Sequence, residues 1–153
     1  MMKKIVLIVV LTLVLSGCQK KDVFTSIRDA VTRQLTLKCE YTDEDGQTTT
    51  TYIKGQMVRM VGAGTATTKI EGLMKDNKFY LWSNENKQGM VLEMAKLTEG
   101  GAKMGEKEIK SIDDVIGVLE EKKDKCKVAS EESGLFEVPT DIKFTSTEGF
   151  FGQ

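Results

Sequence analysis

The apolar and polar positions along the chain divide it into three stretches. Behind Lys3 and Lys4, an apolar run extends from Ile5 to Leu15, interrupted only by Thr12. The run covers 11 residues, whereas a helix needs roughly 20 to cross a hydrocarbon core of about 30 Å, so it reads as a signal peptide and not as a lasting transmembrane helix. Farther on, Val23, Phe24, Ile27, Ala30 and Val31 recur at helical spacing and predict a short amphipathic helix from Lys21 to Gln34. Alternating segments then predict strands at Leu35–Thr42, Thr48–Lys54, Met57–Val61, Thr65–Met74, Lys78–Ser83 and Gly89–Ala95. Turn residues separate them at Asp45-Gly46, Lys54-Gly55-Gln56, Asp76-Asn77 and Asn84 to Gln88, with loops short enough to make an antiparallel meander. After a loop around Gly100-Gly101, Ser111 caps a second helix with a stripe of Ile112, Val115, Ile116 and Leu119, and Asp113 and Asp114 lie in its favourable first turn. The tail, with Cys126, Phe136 to Val138 and Ile142 to Phe144, reads as further strand and irregular structure on the same core.

Charges decide which face of the strands is wet, because side chains alternate across a strand. Lys38, Glu40, Lys54, Arg59, Lys69, Glu71, Lys78 and Glu93 should point outward. The opposite face collects Leu37, Cys39, Ile53, Val58, Met60, Ile70, Met74, Phe79, Leu81, Met90, Leu92 and Met94. Two helices over such a face make an α+β domain. Tyr52, Tyr80 and Trp82 fall on the outward face, either as cross-strand pairs that stabilise the sheet or as an aromatic protein-contact patch.

At the end of the first apolar run stands Leu15-Ser16-Gly17-Cys18, which resembles the lipobox of bacterial lipoprotein precursors. The resemblance implies cleavage before Cys18, diacylglycerol on its sulfur and an acylated new amine. Residues 1–17 are then the signal, 18–21 a lipidated tether and 22–153 a single domain. Several acyl chains anchor firmly, at roughly 0.8 kcal/mol per buried methylene. The implied location is the extracytoplasmic side of the envelope. Gln19 is not the aspartate associated with retention at the inner membrane, which favours the outer membrane where an organism has one.

Cleavage removes Lys3 and Lys4, leaving 20 basic against 23 acidic side chains. That balance offers no basic surface for nucleic acid. Lys122-Lys123-Asp124-Lys125 reads as a solvated helix end, with contact to anionic lipid heads as its alternative. Lipidation of Cys18 also leaves two thiols, Cys39 and Cys126, in a compartment that permits disulfides. They form either the one possible bridge or two separate buried thiols.

The strand order and the stretch from Gly72 to Met90, in which an aromatic strand follows Asp76-Asn77 and returns after a polar turn, look like the lipoprotein-localisation-factor superfamily of envelope proteins. The resemblance spans roughly residues 22 to 95 and implies a curved antiparallel sheet, an incomplete barrel, whose apolar cavity under the helices holds acyl chains. The cavity candidates are Val58, Met60, Ile70, Met74, Phe79, Leu81, Met90, Leu92 and Met94. Flexible thioethers suit an adaptable lipid pocket and equally suit a filled core.

Other chemistry finds little support. The chain has no histidine, no Gly-x-Ser-x-Gly elbow and no phosphate-binding loop. Asp43-Glu44-Asp45-Gly46 has its glycine too early for a calcium loop and reads as a hairpin turn, and Gly62-Ala63-Gly64 as a turn or strand break. Met57 and Met60 should point to opposite faces, and Met90 and Met94 should stand too far apart along a strand to chelate one ion. Asp113 and Asp114 face different ways and do not form a catalytic pair. The expectation is a non-enzymatic, anchored domain without metal or cofactor, binding an acyl chain or other apolar ligand. Its rival is an anchored protein-binding module, inhibitor-like or scaffold, that uses the aromatic face.

Overall fold

The computed structural model describes residues 24–42, 46–65, 68–99, 101, 103–104 and 106–146. The signal, Cys18, the tether and Val23 lie outside them, as do residues 43–45 and Gly100.

Chain order starts with helix α1 (Ile27–Thr32) and the strands β1 (Leu37–Thr42), β2 (Thr48–Lys54), β3 (Met57–Thr65), β4 (Thr68–Lys75), β5 (Lys78–Ser83) and β6 (Gln88–Glu93). It continues with α2 (Met94–Glu99), the hairpin β7 (Lys103–Met104) and β8 (Lys107–Glu108), α3 (Ile112–Glu120), a 3-10 turn at Lys123–Lys125, β9 (Cys126–Val128) and β10 (Lys143–Ser146). Eight strands form one open sheet in the order β10-β6-β5-β4-β3-β2-β1-β9, and only the β10–β6 pair is parallel. The meander from β1 to β6 therefore has the predicted connectivity, and β9 and β10, from the tail, close its two edges.

Local chemistry accounts for the turns. Asp76 and Asn77 both take positive φ, +52° and +58°, the backbone of the two-residue turn that follows the right-handed twist of the strands it joins. Gly62 (φ +82°) falls where the register between β3 and β4 shifts between Met60 and Ala63, so the glycine pair marks a bulge inside one long strand. At α3, the Ser111 hydroxyl accepts the Asp114 N–H at 3.2 Å and donates to the Asp114 carboxylate at 2.9 Å. These contacts satisfy helix-end groups that have no partner within the helix. All four stripe residues of α3 are buried.

The sheet carries apolar clusters on both faces. On the first, Leu37, Cys39, Ile53, Val58 and Met74 are buried in one cluster with Ile27 and Ala30 of α1 and Ile112, Val115, Ile116 and Leu119 of α3. On the second, Leu73 and Trp82 are buried with Phe136 and Ile142 from the segment between β9 and β10. The tail thus docks on the face opposite the helices, contrary to the expectation of a single core. Three further expectations are corrected. Residues 24–26 precede the first helix, which is confined among the described residues to Ile27–Thr32. Met94 starts α2 and does not extend β6, although its N–H still bonds across to the Asn77 carbonyl at 2.9 Å. The apolar run of the first face also reaches beyond the helix-bearing cluster, leaving Ile70 and Met90 exposed at 37% and 44%.

Candidate functional site

Cys39 and Cys126 sit directly opposite each other in the β1–β9 ladder and are disulfide-bonded, with Cα atoms 4.0 Å apart. The bond fixes β9, and with it the 3-10 turn and the end of α3, against β1. Beside it a cleft of about 530 Å³ opens between the sheet and α3. Tyr41, Thr49, Thr51, Val58 and Met60 form its sheet wall, Val115, Val118 and Leu119 its helix wall, and Met104 reaches in from the β7–β8 hairpin. Glu106, Lys107, Glu121 and Lys122 complete the lining.

The charged groups bridge the opening. Lys107 forms an ion pair with Glu121, linking the hairpin to the end of α3. Hydrogen bonding to Lys107 and then its charge hold the Glu121 carboxyl below the usual carboxylate range. Lys122 places its ammonium 5.1 Å from the centroid of the Tyr41 ring. Burial, with a lesser contribution from Asp124, pushes the Tyr41 phenol up to about 12, so it stays protonated as a neutral part of the wall. Aliphatic and thioether side chains, Tyr41, two threonines and four charged groups line the cleft together, and its volume lies within the range of about 300–1,000 Å³ usual for small-molecule sites.

Residues 2–19, which include Cys18, match the family model described as a prokaryotic membrane lipoprotein lipid attachment site. The protein is held by lipid in the bacterial cell envelope, on the extracytoplasmic side. No curated protein and no solved structure matches the chain. The lipoprotein's attachment is therefore assigned by its first 19 residues, and the work of its domain has to be read from the geometry.

That geometry separates the predicted cavity residues. Val58 and Met60 line the cleft of the lipoprotein. Met74, Leu92 and Met94 are buried, and Met74, Met94 and Phe79 belong to the packed cluster under the helices. Ile70, Leu81 and Met90 lie along a separate shallow groove at the far end of β4–β6. These side chains share a face, but helices over only part of it divide them into core, cleft and exposed strip. Sequence reasoning missed Val118, Met104 and Thr51. Val118 follows Val115 at helical spacing and was a usable signal, whereas Met104 enters through a hairpin of two-residue strands that no alternation could reveal.

The aromatic trio also shares one face, yet the patch expected there is covered. Trp82 is only 3% exposed. Tyr52 and Tyr80 are half-buried around the same cluster, which Phe136 and Ile142 roof over. Phe144 meets Tyr80 and Trp82 edge-on, with ring centroids 5.5 and 6.0 Å apart. Arg59 stacks its guanidinium 4.1 Å from the Trp82 ring centroid and pairs with Glu71, which also accepts a 2.6 Å bond from Asn84. Arg59 and Glu71 do face away from the helices as their charge predicts, but the C-terminal segment covers them to 14% and 17% exposure. Trp82 is interior structure held by Phe144 and Arg59, and the two tyrosines are half-buried around it.

Proposed function

We propose that the anchored domain is a non-enzymatic binder that holds one acyl chain, or an apolar ligand of similar size, in the cleft between α3 and β1–β3. The observation that carries the reading is the cleft itself: about 530 Å³, floored by Val58, Met60, Val115, Val118 and Leu119, with its ionisable groups at Glu106, Lys107, Glu121 and Lys122. Met60 and Met104 add thioethers, whose unbranched chains adapt to ligands of different shape. A meander sheet with helices on one face is also the arrangement implied by the resemblance to the lipoprotein-localisation-factor superfamily. The rival reading, a protein-binding module using an aromatic patch, loses its surface because Trp82 is buried.

The test uses a Cys18→Ser form exported through an ordinary signal and titrated with a fluorescent fatty acid. Saturable binding is expected, and Val118→Trp, which fills the cleft from the half-buried side of α3, should abolish it while leaving the disulfide and the unfolding midpoint in place. No binding by the parent domain, or equal binding by the tryptophan variant, would remove the cleft as the site.

A further inference from the structure

The first described residues show where the chain enters the domain. Phe24 is buried in the core cluster, and the chain after it is pinned to the end of α3. The Glu120 carboxylate accepts the Ile27 N–H at 3.1 and 2.9 Å, and Lys123 donates to the Thr25 carbonyl. Cys18 precedes Phe24 by six residues, which span at most about 20 Å when fully extended. The lipid attachment point is thereby kept within that span of Phe24, whose following residues are held at the end of α3 and the 3-10 turn.

This edge differs in charge from the rest of the molecule. Lys122, Lys123, Lys125 and Lys127 fall within six residues that hold one acidic residue, Asp124, directly after Glu120 and Glu121. Outside residues 122–127 the mature chain has 16 basic against 22 acidic residues. Some of the cations have partners: Lys107 pairs with Glu121, Lys125 with Asp124 at 3.5 Å and Lys127 with Glu40 at 3.9 Å. Lys125 and Lys127 remain 61% and 68% exposed, so their ammonium groups can exchange those partners for phosphate.

We infer that this edge is a membrane-docking surface for an anionic leaflet, with the 3-10 turn and β9 lying against lipid phosphates and the acidic remainder of the domain facing away. The lipid anchor supplies attachment and the lysines supply orientation. Association should therefore respond to lipid charge and weaken with salt, as interactions with exposed charges do.

The experiment reconstitutes the full lipidated protein in vesicles of phosphatidylcholine alone or of phosphatidylcholine mixed with phosphatidylglycerol, and measures acetylation of each lysine by mass spectrometry. Lys122, Lys125 and Lys127 should react roughly fivefold more slowly on the anionic vesicles. High salt should abolish the difference, and Lys87, which pairs with Asp141 beside β6 on the opposite side of the sheet, should react equally on both. A Lys125→Glu/Lys127→Glu variant with intact disulfide and unchanged unfolding midpoint should lose the difference at Lys122. Equal acetylation of the cluster on both vesicle types, or a difference at Lys122 that survives the double substitution, would overturn the assignment.

Discussion

Reducing the Cys39–Cys126 bond should destabilise the domain by about 4 to 5 kcal/mol. The bond joins residues 87 apart in sequence. Closing a loop of that length removes about 15 cal/mol/K of entropy from the unfolded chain in the chain-entropy description, or about 4.6 kcal/mol at 25 °C. Alanine substitution is a poor way to measure this, because Cys39 is fully buried and its removal would add a cavity to the entropy change. The cleaner comparison is the same protein in urea with and without reductant. The single tryptophan, Trp82, is 3% exposed and reports loss of the core. With a denaturant dependence of about 1–3 kcal/mol per molar urea, a loss of about 4.6 kcal/mol should lower the midpoint by roughly 1.5–4.6 M. Coincident midpoints with and without reductant would refute the reasoning, since they would mean that the closed loop does not restrain the unfolded chain.

Two further outcomes follow from the packing. A Cβ on Gly89 would stand 2.7 Å from both the Leu81 carbonyl oxygen and the Phe144 ring, and the oxygen belongs to a neighbouring strand that cannot step aside. Gly89→Ala should therefore cost about 1–3 kcal/mol in urea unfolding, with Phe144 displaced from Trp82 and a changed tryptophan emission; an unaltered midpoint would disprove the tight fit. The Ser111 hydroxyl first, and then the Lys110 N–H, hold the Asp114 carboxyl below the usual carboxylate range. Its contribution is fully present above the unfolded pKa and is lost as pH falls through the folded one. Asp114→Asn should thus be less stable than the parent at neutral pH and approach it in strong acid, and a stability gap independent of pH would show that the charge is not what matters.

Much of the first face was legible because burial on one side forces alternation. Val58, Met60, Met74 and Leu92 announced their side through the charges between them, and Ser111 announced α3 through its cap. The second face was harder to read. Phe79-Tyr80-Leu81-Trp82 is a continuous apolar run, the mark of a strand covered on both sides, and charge alternation elsewhere made Tyr80 and Trp82 look like a wet aromatic surface. What covers that surface, Phe136 and Ile142, comes from a tail whose short strand-like stretches do not say which face of the sheet they cover, so no local pattern links them to Trp82. The cleft was partly hidden for a similar reason. Val58 and Met60 could be assigned to a wall, but the opening depends on how far α3 extends over the sheet and on Lys107 meeting Glu121, which are tertiary facts.

The brevity of the two outermost strands has a consequence for life on a membrane. Lipid-held molecules share a two-dimensional surface, where copies meet repeatedly in similar orientations. A long bare strand at the rim of a sheet would invite neighbours to zip together through their backbones. Here the rims are β9, with three residues, and β10, with four, each carrying a lysine, Lys127 and Lys143, and the first is fastened covalently to its neighbour. Among the described residues, neither rim offers a long bare edge for a neighbouring copy to pair with.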